Sequence, residues 1–258
     1  MSLRVNTNVE SFNAHRNLEA TQYAQSKSME KLSSGLRINR AADDAAGLAI
    51  SEKMRAQTRG LAQAQRNSLD GISLVQTSEG ALNEMHSILQ RVRELSVQRA
   101  NGTLSSADQA AIDTEVGQLT AELSRINTNT KFNGLDVMQG TFTFQVGANK
   151  NESIGLSITQ LDFSALSAGD ISTIDNALSS VSDNRAKLGA VQNRLEHTIN
   201  NLGVFQENIA SAESRIRDVD VASEMVNQTK LQILTQSGTA MLAQANQGAQ
   251  GVLSLLRG

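Results

Sequence analysis

The chain has 258 residues, a formal net charge of −3 and 39% hydrophobic residues, and this near-neutral balance argues against a dedicated nucleic-acid binder. It has no cysteine, which excludes disulfides, thiolate catalysis and cysteine-based zinc sites. Aromatic residues make up only 3% and proline is absent, which favours long helices packed through thin seams over a wide globular core.

The N-terminal region is predicted to form a helix followed by a connector. Thr7 and Glu10 have the spacing of a capping box, which predicts a helix from about Asn8 to the break at residues 33–35. The next stretch, LRINRAADDAAG, mixes charges with small residues and has no clean period. We therefore expect a connector with one short helical turn.

A long second helix is predicted from about Ala45 to Ala100. Its apolar residues repeat at heptad spacing as an a/d seam, which comprises Val75, Leu82, Met85, Leu89 and Val92. Asn101-Gly102 is expected to end this helix. Ser106 and Gln109 have capping-box spacing, and a third helix with apolar residues from Ile112 to Ile126 is expected to follow.

The middle of the chain changes from helical to strand periodicity. Apolar residues alternate with polar ones in two runs, namely Phe142, Phe144 and Val146, and then Ile154, Leu156 and Ile158. Alternation with a period of two is typical of a strand, and Gly147–Asn151 has the composition of a turn. We therefore expect a small β-hairpin region at about 132–160.

The strongest periodic signal lies in the second half. Seven apolar residues keep an unbroken seven-residue register: Ile174, Val181, Leu188, Leu195, Leu202, Ile209 and Ile216. Such a register predicts one helix of roughly 45 residues with a buried seam. We expect the partner row to lie three residues earlier, at Ile171, Leu178, Arg185, Gln192 and their equivalents, although only three of that row's seven residues are apolar.

Both ends of the chain are predicted to be amphipathic helices that need a partner surface. Val5, Val9 and Phe12 share one helical face, and Val252, Leu253, Leu255 and Leu256 form an apolar cluster at the other end. The two ends are suited to pair with each other. The predicted fold is mainly α: an elongated antiparallel helical bundle or coiled coil with the hairpin at the far tip of a rod.

Several segments that reach both ends of the chain resemble bacterial flagellin. They are MEKLSSGLRINRAADDAAGLAISEKMR at 29–55, LQRVRELSVQ at 89–98, KFNG at 131–134, FQVGAN at 144–149, LGAVQNRLEHTINNL at 188–202, SRIRDVDVASEM at 214–225 and LAQANQGAQGVLSLLR at 242–257. The last departs from the family in having Gly248 where proline is common. The resemblance implies an inner coiled-coil domain from residues 1–43 and 218–258, a spoke and rod domain at 44–217, and no variable outer domain.

The resemblance also implies a function and a set of partners. The chain would polymerise into the extracellular filament that drives motility, after export through the flagellar secretion apparatus. An export chaperone would shield the C-terminal helix, and filament cap and hook-associated junction proteins would contact the polymer. The start, MSLRVNTNVE, lacks the apolar stretch of a cleaved signal peptide, so we expect export without cleavage. No apolar run approaches the ~18 residues of a membrane span, and no membrane association is expected.

One helical segment resembles the patch of flagellins that a host Toll-like receptor reads. The implied receptor and subunit-interface candidates are Leu89, Gln90, Arg91, Glu94, Leu95 and Gln98, with Ile112 and Glu115 on the neighbouring helix. Arg91, Arg93 and Arg99 would otherwise suggest a basic patch, but Glu94 interrupts them and no aromatic residues interleave.

No enzymatic or metal chemistry is predicted. His15, His86 and His197 have no second ligand at metal spacing, and no phosphate-binding glycine motif occurs. The pair Asp43-Asp44 lies beside Arg37 and Arg40, which favours salt links at a subunit contact over a catalytic dyad. We therefore expect no cofactor and no enzyme activity.

Two alternative functions are compatible with part of the pattern. A hook–filament junction protein shares the terminal helices but diverges from the RINRAADDAAGLAI and QRVRELSVQ patterns. A cytoplasmic coiled-coil scaffold would explain the heptads but not the unpaired apolar termini. Only a filament subunit is expected to form long helical filaments by itself.

Overall fold

The structure, a computed structural model, describes residues 7–164, 166, 168 and 170–257, with the side chains as far as residue 248. Five helices lie in this part of the chain: α1 (Val9–Ser34), α2 (Ala45–Arg99), α3 (Ser106–Asn129), α4 (Ile171–Arg217) and α5 (Val221–Arg257). The strands are β1 (Lys131–Phe132), β2 (Leu135–Asp136), β3 (Gly140–Gln145) and β4 (Ser153–Ile158). The mainly α prediction with a small strand region is confirmed.

Local side chains fix the ends of α1. Asn8 is the N-cap, because its Oδ1 accepts a hydrogen bond of 3.0 Å from the Ser11 backbone N–H. The predicted cap at Thr7 is therefore wrong by one residue. Gly35 ends the helix with a φ of +71°, a left-handed conformation that glycine adopts without a steric cost, and its N–H donates to the Lys31 carbonyl.

The capping box of α3 also lies one residue earlier than predicted. Ser105 is the N-cap, its hydroxyl accepts from the Asp108 backbone N–H, and the Asp108 carboxylate accepts from the Ser105 N–H at 3.1 Å. The prediction chose Ser106 and Gln109. A carboxylate is a stronger acceptor than an amide and is also stabilised by the positive end of the helix dipole, which favours Asp108.

The strand region contains two hairpins, of which one was predicted. β3 and β4 pair antiparallel, with Phe142 opposite Leu156 and Phe144 opposite Ile154, and their connection contains the predicted turn residues. A second hairpin, β1–β2, precedes it and turns at Asn133-Gly134, where the two φ angles are +49° and +80°. The Asn-Gly dipeptide is the sequence signal that could have predicted this hairpin.

The chain divides into two compact units. The terminal unit comprises Met1–Arg55 with Ala210–Gly258, and the central unit comprises Ala56–Ile209. The boundaries between these two units fall within α2 and α4. The domain boundaries expected from the sequence, at 43/44 and 217/218, fall instead at the connectors between helices. The sequence-based division into domains stays a prediction.

The core of the central unit is formed by helices and strands together. Six of the seven heptad residues of α4 are buried (Ile174, Val181, Leu188, Leu195, Leu202 and Ile209), and Ile216 is half-buried. The second buried row of α4 lies three residues after these positions, at Asn184 and Val191, and the predicted row three residues before is only half-buried. The partner-row prediction was wrong because α4 packs against strands as well as helices, so its buried stripe is wider than a coiled-coil seam.

Candidate functional site

The terminal unit is built around an antiparallel pair of helices, α1 and α5. Asn8 at the start of α1 donates from Nδ2 to the Ala245 carbonyl at 3.0 Å. Further along α1, the Gln25 side-chain oxygen accepts a hydrogen bond of 3.3 Å from the Thr235 hydroxyl. Because rising numbers in α1 meet falling numbers in α5, the two helices run in opposite directions.

The facing positions of this pair follow a heptad on both helices. On α1 they are Ser11, Ala14, Leu18, Thr21, Gln25, Ser28 and Leu32, and on α5 they are Glu224, Gln228, Leu231, Thr235, Gly238, Leu242 and Ala245. Only Ser28 and Gln228 are fully buried, and most of the remaining positions are half-buried small or polar residues. A Cβ on Gly238 would lie 3.2 Å from the Leu18 side chain, so the backbones approach closely there. Such a seam buries little apolar surface.

Apart from the four seam leucines, the large apolar side chains described in the pair point away from the seam. Val9 is 54% exposed and Phe12 is 69% exposed on α1, while Val226 is 72% exposed and Ile233 is 58% exposed on α5. Each lies two residues before a seam position, which is about 200° around the helix. Ten large apolar residues of α1 and α5 are exposed, either directly opposite the seam or on the flanks of that outward face. They are Val9, Phe12, Tyr23, Met29, Val221, Met225, Val226, Ile233, Leu234 and Met241.

The predicted assembly residues fall on this outward surface or outside the described part of the chain. Val9 and Phe12 are exposed and lie opposite the seam. Val5 lies outside the described residues. Val252, Leu253, Leu255 and Leu256 lie within α5, but their side chains are outside the described part.

The candidate receptor segment contributes both surface and core. Gln90, Arg91, Glu94, Gln98 and Glu115 are exposed. The guanidinium of Arg91 bridges α2 and α3, because its Nη2 lies 3.0 Å from a Glu115 carboxylate oxygen. The other three candidates, Leu89, Leu95 and Ile112, are buried in the hydrophobic clusters of the central unit, so their side chains support this surface from beneath.

The two aspartates of the connector have separate structural roles. The Asp43 carboxylate lies 2.7 Å from the Lys27 Nζ, and that hydrogen bond is the main reason why the pKa of Asp43 is lowered to about 2. It also accepts from the Arg40 and Asn39 backbone N–H groups. Asp44 caps α2 by accepting from the Gly47 N–H at 2.8 Å. The expected salt link is formed within the chain by Asp43 with Lys27 of α1, and a further salt link at a subunit contact stays a prediction.

The connector is joined to the chain between α4 and α5 by backbone hydrogen bonds. Leu36 and Asp218 form a bridge, and the Arg37 N–H donates to the Arg217 carbonyl at 2.7 Å. The Arg37 guanidinium donates twice to the Ile216 carbonyl, at 2.6 and 3.2 Å, in the last turn of α4. A cation at this end of a helix satisfies a free carbonyl and interacts favourably with the helix dipole.

The histidines and acidic residues of the described part of the chain do not gather into a metal site. No group of three or more His, Asp or Glu side chains that could hold a metal ion occurs among them. His15 lies beside Glu19 at 3.5 Å, and the ring of His86 contacts the Gln90 amide. Within the same residues, no helix combines the length and the apolar character needed to cross a bilayer.

Comparisons with known proteins identify relatives along the whole chain. Residues 5–143 match the family model of the bacterial flagellin N-terminal helical region, and residues 171–256 match that of the C-terminal helical region. A flagellin of Halalkalibacterium halodurans is 56% identical over 98% of this chain and 99% of its own length, and a flagellin of Bacillus subtilis is 48% identical over 99% and 100%. The 33 kDa flagellar filament core protein of Treponema phagedenis is 48% identical over 98% and 99%. The crystal structure of Bacillus cereus flagellin matches with a TM-score of 0.50 and 31% identity over 53% of this chain and 88% of that one.

Proposed function

The chain belongs to the bacterial flagellin family and is a structural subunit of the flagellar filament, and we propose that the outward apolar faces of α1 and α5 drive its polymerisation. The observation that carries this proposal is the arrangement of the pair: the seam holds mainly small and polar residues with four leucines, and ten large apolar side chains are exposed outside it. A surface of this kind is stable in water only when another surface covers it. In a homopolymer, the covering surface is a second copy of the chain.

The energetics favour burial between subunits over burial within one subunit. Fully burying one large apolar side chain contributes about 1.5–3 kcal/mol. Ten such side chains are exposed along α1 and α5, whereas Ile38 is the only buried hydrophobic residue in the described part of the terminal unit. Association also costs translational and conformational entropy, and part of the free energy gained by burial is needed to offset that cost. The balance predicts helices that are marginal in the monomer and ordered in the filament.

The proposed contacts join different surfaces on neighbouring copies. The row on α1 that includes Val9 and Phe12 and the row on α5 that includes Val226 and Ile233 have different side chains and spacings. Contacts between unlike surfaces propagate into an open helical polymer when the rotation between neighbours does not close a ring. This is the geometry that a filament requires.

We assign the two functional domains as residues 1–43 with 218–258, and 44–217. Three features support the assignment: the Leu36–Asp218 bridge, the bond from the Arg37 N–H to the Arg217 carbonyl, and the cap of α2 by Asp44. All three lie at the proposed boundaries. The terminal domain would then form the inner part of the filament, and residues 44–217 its rod.

Further partners and the location are also part of the proposal. An export chaperone would cover the apolar face of α5 before assembly, and cap and hook-associated junction proteins would contact the two ends of the polymer. The filament is placed outside the cell, reached through the flagellar secretion apparatus. A host Toll-like receptor would contact the exposed group Gln90, Arg91, Glu94, Gln98 and Glu115, which the Arg91–Glu115 ion pair orders.

Electron microscopy and sedimentation of two variants test the proposed driving surface. Val226→Ser with Ile233→Ser removes two outward side chains without touching the seam, and should abolish filament formation under salt that polymerises the unmodified chain. Gln232→Ser with Gln236→Ser changes exposed polar positions of the same helix and should polymerise normally. Normal filaments from the first variant would show that this face is not the driving surface.

A further inference from the structure

Three asparagines, one on each helix of the central unit, hold the strand segment by its main chain. Asn67 of α2 donates from Nδ2 to the Gln145 carbonyl at 3.1 Å. Asn127 of α3 donates to the Leu161 carbonyl at 3.2 Å. Asn184 of α4 donates to the Thr159 carbonyl at 2.9 Å. The segment is therefore attached to α2, α3 and α4 by directional bonds as well as by apolar packing.

Asn184 makes the most complete of these attachments. Its Oδ1 also accepts from the Thr159 N–H at 3.2 Å, so its amide pairs with Thr159 as a neighbouring strand would. Its side chain is 1% exposed and lies in the second buried row of α4, where a heptad normally carries an apolar residue. Lys187, one turn further along α4, donates from Nζ to the Thr159 hydroxyl at 3.1 Å.

Apolar packing alone would not define the position of the hairpin along the helices. The alternation of Phe142, Phe144, Ile154 and Leu156 fixes which face of the hairpin is buried, but it leaves sliding along the helix surface weakly resisted. Hydrogen bonds depend steeply on distance and angle, and a buried amide without a partner is costly. The two bonds of Asn184 are therefore satisfied only when Thr159 lies directly against it.

We propose that Asn184 is a positioning residue, which fixes the hairpin at one place on α4 and so fixes the surface that the hairpin presents. That surface consists of small hydroxyl-bearing side chains on alternate positions, namely Thr141, Thr143, Ser153 and Ser157, all of which are exposed. The proposal rests on the function as a filament subunit, because every copy in a helical lattice must present the same surface to its neighbours. Asn184 acts on assembly through Thr159 and the hairpin.

The test compares Asn184→Leu with Asn193→Leu, which changes an exposed asparagine of the same helix. Amide hydrogen exchange of the monomer should be faster at Thr159 by about tenfold or more in Asn184→Leu, because two hydrogen bonds are lost. Exchange in the buried part of α2, at Leu82 and Leu89, should be unchanged. The critical concentration for polymerisation should be raised in Asn184→Leu and unchanged in Asn193→Leu.

Asn184→Ala provides a second variant if the leucine substitution prevents folding, since alanine removes both hydrogen bonds without adding bulk and should also give faster exchange at Thr159. Unchanged exchange at Thr159 would overturn the positioning role. Faster exchange with a normal critical concentration would overturn its link to assembly. Loss of polymerisation in the unmodified chain would count against the proposed function and not against the role of Asn184, whereas an equal rise in critical concentration in Asn193→Leu would overturn the specific link of Asn184 to assembly.

Discussion

The two units of the molecule use their apolar residues in opposite ways. In the central unit, large aliphatic side chains such as Leu82, Leu188 and Leu195 are fully buried in a core that lies within one chain. In the terminal unit, the seam between α1 and α5 contains residues such as Thr21, Gln25 and Gln228, while Phe12 and Val226 are exposed. The central unit can therefore be stable as a single chain. On the proposed function, we expect the terminal unit to need neighbouring copies for its stability.

The first prediction compares equal truncations in the two units. Leu195 is fully buried, so Leu195→Ala should lower the free energy of unfolding of the monomer by about 2–5 kcal/mol. Ile233 is 58% exposed, so Ile233→Ala should change it by less than about 0.5 kcal/mol. Urea unfolding of both monomers measures the difference. Equal losses would mean that the outward face of α5 is already buried in the monomer.

The second prediction concerns a polar residue in the terminal seam. The Gln228 side chain is buried and its Oε1 has no hydrogen-bond partner, which costs about 1–3 kcal/mol. Gln228→Leu should therefore stabilise the α1–α5 pair by about 1 kcal/mol and raise the helix content of the monomer, as measured by circular dichroism. Thr229→Leu, at an exposed position of the same helix, is the control. A drop in helix content in Gln228→Leu would show that the amide contributes to the pairing.

The third and smallest effect concerns the pH dependence of the connector. The pKa of Asp43 is lowered to about 2 by Lys27, so the ion pair stabilises the folded connector above the unfolded pKa of 3.8. That contribution should be lost as the pH falls from about 4 towards 2. Urea unfolding of the unmodified chain and of Asp43→Asn over this range measures the effect, and the two curves should converge at the acid end. A constant separation would exclude titration of Asp43 as the cause.

The sequence predicted the parts of the fold in which apolar residues repeat. The heptad of α4 from Ile174 to Ile209 and the alternation in β3 and β4 both reflect burial of large side chains, which a sequence displays directly. The order of the elements and the shared helical face of Val9 and Phe12 follow from similar patterns, but the position of that face opposite the seam does not. These features identify the fold class and the relatedness to flagellins.

The sequence did not show the features that depend on small or polar residues. The α1–α5 seam has a regular heptad, but Ser11, Thr21 and Gln25 give no hydrophobic signal. Asn184 gave no signal either, because its partner, the main chain of Thr159, is distant in sequence. Leu95 was predicted as a receptor contact by resemblance alone, and its burial depends on the position of α3, which periodicity does not define.

Hydrogen exchange of the monomer and the filament tests the contrast between the two units most directly. The account predicts that amides of α1 and α5 exchange almost freely in the monomer and become protected by at least about a hundredfold in the filament. Amides of α2 around Leu82 and Leu89 should be protected in both forms, because their core lies within one chain. Strong protection of α1 and α5 in the monomer, with little further gain on polymerisation, would contradict the claim that neighbouring subunits complete the terminal unit.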